Sequence, residues 1–331
     1  MTANNLRPLG HSGLIVSATG LGCNNLGRPG TITETQQGVD ALISSAVDAG
    51  VIFFDVADTY GKEPGLSEKM LGIALKDHRD DVVIGTKFGM DMKGVNGQDF
   101  GARGSRRYIR RAVEASLTRL GTDYIDLYQY HEPDGVTPVE ETFGAMSELV
   151  TEGKVRYIGH SNFPGWMIAK ADALTPNDSG VRFISAQNQY SLLSREIEAE
   201  VVPSIEDHGL SLIPYFPLYN GFLTGKYRRD VVPEGSRLTH SRQAVLENAD
   251  WDQLEAFARF AQERGVTEIQ VAFGWLLAQN SVDTVIAGAT TPEQIAQNAV
   301  AALAWQPTPA DLLALDEIFP GVPAAGGYLK G

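Results

Sequence analysis

Residues 124–163 read YIDLYQYHEPDGVTPVEETFGAMSELVTEGKVRYIGHSNF. The first seven are apolar and aromatic enough for a strand buried on both faces, the usual state of parallel strands. Thr137-Pro138-Val139-Glu140 combines a capping box with proline at the first helical position, which predicts a helix running to about Glu152. Gly153 stops that helix, and residues 155–159 return as a second strand. The connection is far too long for a hairpin. Two parallel strands joined by a crossover helix are the expected unit.

The unit repeats outward in both directions. Upstream, a strand is expected at 19–21, then a helix from Thr33, with Gln36 completing a capping box. Its stripe is Val39, Leu42, Ile43, Ala46 and Val47, and Gly50 ends it. A strand at 51–54, a helix at 66–75, a strand at 82–86 and a helix capped by Ser105 follow. That helix carries Ile109, Val113, Leu117 and Leu120 on one face. Downstream, helix 165–173, strands near 183–186 and 210–214 with a helix near 197–207 between them, and a loop-rich stretch from Pro217 to about Asn248 are expected. Helices at 251–264 and 267–279 lead to a strand at 284–286, and Thr291-Pro292-Glu293-Gln294 opens the last helix. Eight strands alternating with helices predict a closed (β/α)₈ barrel, an α/β TIM barrel, in one domain over 1–331. Residues 6–9 and 14–17 flank His11-Ser12-Gly13 and predict an N-terminal β-hairpin that plugs one end of the barrel.

Composition narrows the function classes. Lys and Arg number 27 against 41 Asp and Glu, a net charge of −14, so the positive stripe that a nucleic acid needs is not expected. Arg103, Arg106, Arg107, Arg110 and Arg111 read as a solvated helix face. Cys23 is the only cysteine, which excludes an internal disulfide and Cys-based zinc sites and points to a reducing, cytoplasmic setting. No leader is expected in the opening residues, and no apolar run reaches membrane-spanning length. The sequon at Asn177 therefore carries no weight. The six histidines form no i, i+4 pair for a metal. Residues 20–27, GLGCNNLG, lack the third glycine of a dinucleotide fingerprint at position 25.

Catalytic groups in such barrels sit where strands run into βα loops. Asp55 follows the second strand, with Tyr60 five residues on; Lys87 follows the third and His131 the fourth. Each alone reads as a turn cap, a packed ring, a solvated cation or a core histidine. Together they place four ionisable groups at one rim. An ammonium beside a phenol lowers the phenol's pKa from about 10, and an aspartate beside the ammonium keeps it charged. The histidine positions a substrate oxygen. Such a phenol gives a proton to a developing alkoxide, worth roughly 10²–10⁴ in rate. The set offers no carboxylate pair for glycoside cleavage, so it suits a carbonyl being reduced, with the hydride coming from a cofactor. Lys87 as a Schiff-base nucleophile is the competing reading; Asp55 would keep its amine protonated, which argues against it.

The stretches LGHSGLIVSATGLG, FFDVADTYG, GLSEKMLGIAL, GTKFG, SLTRLGTDYIDLYQYHEPD, GKVRYIGHSNF, QNQYSLL, GFLTGKY and GATTPEQIAQN, in this order, resemble an aldo-keto reductase over nearly the whole chain. The resemblance implies a barrel that binds NADP(H) without a Rossmann domain. It implies Tyr60 as proton donor, Lys87 and Asp55 as its tuning pair and His131 as the group that orients the carbonyl. Asp58 does not match the family position and reads as a loop or turn residue. Ser161, Asn162 and Gln187 match positions that hold the nicotinamide carboxamide, and Tyr215 matches the aromatic that stacks on its ring. Phe216, Pro217, Leu218, Tyr219, Gly221, Leu223 and Lys226 lie in the loop around the pyrophosphate, and Arg237 closes over the adenosine end. Gly288, Thr290, Gln294, Gln297 and Asn298 match the adenosine-phosphate region. Cys23 and Asn24 follow the first strand, where the backbone meets the cofactor; Asp55 also faces it.

Many family members carry Lys and Arg at the positions of Gly288 and Gln294, and neither charge is present here. NADPH is the expected cofactor, with NADH the alternative. Phe216 and Tyr219 are bulkier than usual and narrow the pocket, and His160 stands where an aliphatic residue is common. Asn24, Phe88, Met90, Tyr219 and Tyr328 are expected around a small carbonyl substrate, an aldehyde or ketone that the sequence does not name. Oligomeric state is silent. Because the family resembles ion-channel accessory subunits in part, an NADP(H)-binding sensor with vestigial reductase activity is the alternative function.

Overall fold

The computed structural model describes residues 5–175, 180–234, 236–240 and 242–322. The sequon at Asn177 and Tyr328 lie outside them. Strands β1 (Leu6–Pro8) and β2 (Ile15–Ser17) pair antiparallel with Leu6 opposite Ser17, so residues 9–14 form the expected hairpin turn. Eight further strands form one all-parallel sheet: β3 (Thr19–Gly22), β4 (Phe53–Asp55), β5 (Val83–Phe88), β6 (Ile125–Tyr130), β7 (Val155–Ser161), β8 (Phe183–Gln189), β9 (Ser211–Tyr215) and β10 (Val285–Gly288). Each pairs with its sequence neighbour, and β10 returns to pair with β3. A parallel bridge between Leu212 and Val282 joins the remaining edge. The sheet is thus a barrel, as the βα alternation implies.

Alternation along each strand decides what fills it. Phe53, Val83, Leu127, Ile184, Ile213 and Ile286 pack together with Leu9, Leu14 and Val16 of the hairpin, which closes the N-terminal end. Two residues further along the same strands, Phe53 gives way to Asp55, Leu127 to Gln129 and Ile213 to Tyr215. The apolar plug therefore forms the floor of a polar layer. Each fully buried aliphatic side chain in that floor contributes about 1.5–3 kcal/mol, against which the desolvation of the layer above must be set. Gly20 makes room for the floor: a Cβ there would lie 2.8 Å from Phe53 Cδ1 and 2.9 Å from Ile286 Cγ2.

The outer layer comprises α1 (Gln36–Asp48), α2 (Leu66–Ala74), α3 (Arg106–Leu120), α4 (Val139–Thr151), α5 (Gly165–Asp172), α6 (Val201–Asp207), α7 (Arg237–His240), α8 (Gln243–Glu247), α9 (Trp251–Glu263), α10 (Glu268–Leu277), α11 (Pro292–Ala304) and α12 (Pro309–Ile318). Their apolar stripes pack on the outward strand residues in one continuous core. Ser105 and Thr291 cap α3 and α11 as expected, and Gly50 and Gly153 take the left-handed conformation past α1 and α4. Arg106 and Arg110 of α3 pair at the surface with Glu148 of α4, as a solvated face should.

Four expectations are corrected. Thr33 lies in a 3₁₀ turn, and Thr35 caps α1 by accepting from the Gly38 amide, because Thr33 Oγ1 is already bonded to Asn25 O at 2.8 Å. Thr137 does not cap α4: its hydroxyl and amide both bond Asp134, which organises the preceding turn instead. The helix opened by Thr291 is followed by another, α12, with its own Thr308–Asp311 capping box. The stretch from Pro217 to Asn248 is not all loop; it contains a 3₁₀ segment and the short helices α7 and α8. Among the described residues, no helix is long and apolar enough to cross a membrane.

Candidate active site

The polar layer sits where β4, β5 and β6 end. Lys87 Nζ lies 2.8 and 2.7 Å from the two carboxylate oxygens of Asp55 and donates also to Val56 O at 3.0 Å. Three acceptors thus saturate an ammonium that is fully buried. The Tyr60 ring lies 5.3 Å from the same nitrogen, so the ammonium acts on the phenol as a neighbouring cation. The His131 ring meets Tyr60 edge-on at 5.9 Å. The four residues predicted at one rim are therefore one cluster.

Electrostatics in the cluster differ from expectation at one point. Burial alone would lower the Lys87 pKa, but Asp55 and Tyr60 outweigh it and hold the ammonium above its usual range. For Tyr60, burial and the Asp55 carboxylate outweigh the Lys87 ammonium, so its pKa is raised from 10.0 rather than drawn toward neutrality. The net phenol shift is upward because burial is the largest influence, with Asp55 offsetting part of the Lys87 effect. Burial and Lys87 push His131 down to about 3, which leaves a neutral imidazole whose Nδ1 has no hydrogen-bond partner among the described residues.

Two glutamines complete the layer. Gln187 Nε2 donates to Asp55 Oδ1 at 2.9 Å and Gln129 Nε2 to the same atom at 3.3 Å. Gln129 was not singled out in the sequence, where it is masked by the apolar run IDLYQY; its inward register two residues before His131 was the available signal. Asp58 lies in the turn after β4, as expected of a loop or turn residue, but it is fully buried and accepts from Asn96 Nδ2 at 3.1 Å.

A cleft of about 1390 Å³ opens on this layer. Asp55, Tyr60, His131, Ser161, Asn162, Gln187 and Tyr215 line one end. Ser161 Oγ donates to Gln187 O at 2.7 Å, and Asn162 links His131 O (3.0 Å) to the Tyr215 hydroxyl (3.0 Å). Asn162 takes φ +60°, a strained conformation that this network holds in place. Phe216, Pro217, Leu218, Gly221 and Lys226 form one flank, and Gly288, Thr290, Gln294, Gln297 and Asn298 form the far end with the start of α11. Asn24 and Met90 also line the cleft. Asn25 Nδ2 lies 2.9 Å from where a Cβ on Gly288 would project, so any larger residue there must displace Asn25 from its bond to Ala289 O.

Other expected residues are not brought to the cleft. Cys23 is fully buried, and its backbone oxygen accepts from Ser67 Oγ at 2.6 Å; burial pushes its thiol well above the ordinary range, so it packs as an inert filler. Leu223 and Phe88 are fully buried, Phe88 stacked against Tyr128 and Tyr130, and Tyr219 packs against the core. The pocket is therefore not narrowed by Tyr219. Arg237 lies in α7, and its side chain is outside the described residues. His160 is buried and stacked at 4.3 Å on Phe163, the structural role expected of it. Arg28 and Arg242 line the cleft and were missed, because a lone cation in a loop carries no periodic signal.

Among the described residues, no group of three or more His, Cys, Asp and Glu is placed to hold a metal. Fold and cluster together define a barrel with a buried cluster of ionisable side chains at the C-terminal face of its sheet. The chain belongs to the aldo-keto reductase family, whose model, Aldo/keto reductase family, matches residues 18–319, and it is accordingly an oxidoreductase. It is 36% identical to a probable aldo-keto reductase 1 of Glycine max, over all of this chain and 94% of the relative. It is 36% identical to the uncharacterized oxidoreductase YrpG of Bacillus subtilis (strain 168), over 95% of each chain. It is 32% identical to an L-glyceraldehyde 3-phosphate reductase of Escherichia coli (strain K12), over 88% of this chain and 86% of the relative.

Proposed function

We propose that the chain reduces an aldehyde or ketone to the alcohol with NADPH, and that Tyr60 gives the proton. The observation that carries this reading is the Tyr60 ring 5.3 Å from the Lys87 ammonium, itself clasped by Asp55. A nicotinamide, when bound, supplies the hydride. Tyr60 is protonated throughout the neutral range and donates to the carbonyl oxygen as negative charge develops there. The ammonium beside it stabilises the phenolate left behind, at a site where burial makes that charge effective. His131, neutral, donates a hydrogen bond that orients the same oxygen. Ser161, Asn162, Gln187 and Tyr215 hold the nicotinamide; the Gln187 amide nitrogen is bonded to Asp55, which leaves its oxygen free to accept from a carboxamide.

Cleft size supports a dinucleotide, since a site for a small carbonyl alone needs far less than the roughly 300–1,000 Å³ of a drug-sized pocket. The far end, with Thr290, Gln294, Gln297 and Asn298, suits the adenosine, and its uncharged side chains keep NADH open as a second cofactor. The name of the Escherichia coli relative directs a substrate screen first to phosphorylated hydroxyaldehydes.

The test is Tyr60→Phe assayed for aldehyde-dependent NADPH oxidation, beside NADPH binding. Turnover should fall by roughly 10²–10⁴ with the dissociation constant unchanged. Wild-type turnover in the variant would remove Tyr60 from the reaction. Tight NADPH binding by the wild type with no turnover on any carbonyl of a broad panel would favour the sensor reading.

A further inference from the structure

The loop after β6 carries two acidic residues with different fates, Glu132 and Asp134. Asp134 is consumed by the turn: its carboxylate accepts from the amides of Gly104, Val136 and Thr137 and from the Thr137 hydroxyl, at 2.7–2.8 Å. Glu132 has no such task. It is exposed, lines the cleft, and makes no ion pair or hydrogen bond among the described residues. Its backbone is fixed against the loop after β5. A Cβ on Gly89 would lie 3.4 Å from Glu132 O, and Met90, the next residue, lines the same cleft.

Two observations put Glu132 at the reacting end of the cleft. It follows His131, whose carbonyl accepts from Asn162 Nδ2 at 3.0 Å, and Asn162 Oδ1 accepts from the Tyr215 hydroxyl at 3.0 Å. Its carboxylate also acts on that phenol: burial raises the Tyr215 pKa, a backbone hydrogen bond at Gln189 opposes the rise, and Glu132 adds to it. Cations are scarce at this end. Lys87 acts on His131, but Asp55 already clasps it. Arg28, Lys226 and Arg242 line the cleft as well, yet none of them acts on His131 or Tyr215. Among the described residues, the charge here that lacks a partner is negative.

We propose that Glu132 is a specificity-determining residue, which turns away carbonyl substrates that carry an anionic group and favours those that carry a cationic one. This rests on the reductase reading. A substrate whose carbonyl meets Tyr60 and His131 extends into the space that Glu132 lines. A phosphate or carboxylate there meets a like charge, whereas an ammonium meets an acceptor that otherwise has only water. NADPH, when bound, adds phosphate charge to the same cleft and steepens the preference. Phosphorylated hydroxyaldehydes should therefore be reduced less well than their unphosphorylated counterparts.

The experiment is kcat/KM of the full chain with saturating NADPH, at low and high salt, for wild type, Glu132→Gln and Glu132→Lys. The substrates are benzaldehyde, its para-carboxy and para-trimethylammonio derivatives, and glyceraldehyde with and without its phosphate. Each charged substrate is read against its neutral parent, so a general loss of activity cancels, and intrinsic reactivity cancels between proteins. In Glu132→Gln the cation-to-anion ratio should fall on the order of 3- to 30-fold, and in Glu132→Lys further. High salt should narrow the gap between wild type and variants, which a merely structural role would not do. A ratio that Glu132→Gln leaves at its wild-type value overturns the proposal, even if Glu132→Lys shifts it. So does a wild type that prefers phosphorylated glyceraldehyde to the parent. A wild type that binds NADPH and reduces none of these aldehydes would instead sink the reductase reading, and the proposal with it.

Discussion

Lys87 and Asp55, 32 residues apart, form a buried ion pair in which one ammonium bonds both oxygens of one carboxylate. Such a pair is weak evidence for stability, since desolvation of two charges offsets much of their attraction, but breaking it leaves a bare charge in the barrel. Lys87→Met should therefore cost about 3–5 kcal/mol of unfolding free energy. Asp55→Asn added to Lys87→Met removes the stranded carboxylate and should recover part of that loss. Urea unfolding of the single and double variants checks this. A double variant less stable than Lys87→Met would mean that Gln187 and Gln129 satisfy Asp55 without the ammonium.

The pH dependence of turnover follows from two residues. His131 is pushed down to about 3, so carbonyl reduction should show no inflection near 6.5 and kcat/KM should be level from pH 5 to 8. Tyr60 is raised from 10.0, so reduction should persist until the phenol ionises above that value. Alcohol oxidation, which needs the phenolate, should rise with pH up to 10 without reaching a plateau. A bell centred near neutrality in kcat/KM for reduction would contradict both assignments.

His160 bears on acid stability rather than turnover. Both of its ring nitrogens are buried without partners among the described residues, and burial lowers its pKa to about 3. The unfolded chain takes up a proton as pH falls below 6.5, and the folded chain does not. Folding stability is thus full above pH 6.5 and falls toward pH 3, by up to about 1.4 kcal/mol per pH unit. His160→Leu loses no hydrogen bond and should reduce that slope over the same window while leaving turnover intact. Guanidinium melts at pH 4, 5 and 7 measure it; equal slopes in both proteins would show that the imidazole has a partner in solution.

What the sequence discloses and what it hides divide along physical lines. Strands β4, β5 and β6 alternate with period two, so the register that puts Phe53, Val83 and Leu127 in the floor also puts Asp55, Lys87 and His131 above it. That much is local. The cap of α1 is not: Thr33 and Thr35 are chemically equal, and only the long-range bond from Thr33 to Asn25 removes the first from competition. The phenol's upward shift is equally hidden, because its largest cause is burial, which only the folded chain supplies. Phe88 follows the inward Lys87 by one residue, so alternation itself turns it outward, where it stacks with Tyr128 and Tyr130. Arg28 and Asp58 become visible only when loops from distant parts of the chain are brought together.

Asp58 gives the sharpest test of that tertiary effect. It lies between Asp55 and Tyr60, its amide donates to Lys87 O at 3.0 Å, and one of its carboxyl oxygens has no partner among the described residues. Burial first, then the nearby Glu68 carboxylate, raises its pKa well above 3.8; Arg119 and the Asn96 hydrogen bond oppose the shift without reversing it. Glu68 is itself held by Thr86 at 2.6 Å and Arg119 at 2.6 Å. The folded chain therefore retains a proton that the unfolded chain releases above pH 3.8. The stability tied to this group is present below pH 3.8 and is lost as pH rises toward the folded value. Asparagine has the shape of the neutral acid, keeps an acceptor for Asn96 and never ionises. Asp58→Asn should match the wild type near pH 4 and exceed it by about 1–3 kcal/mol at pH 8, the usual cost of a poorly satisfied buried polar group. Because the side chain faces away from the cleft, kcat should be preserved. If Asp58→Asn is instead the less stable protein at pH 8, the carboxyl is ionised in the folded state and belongs, through Asn96, to the charge of Arg119.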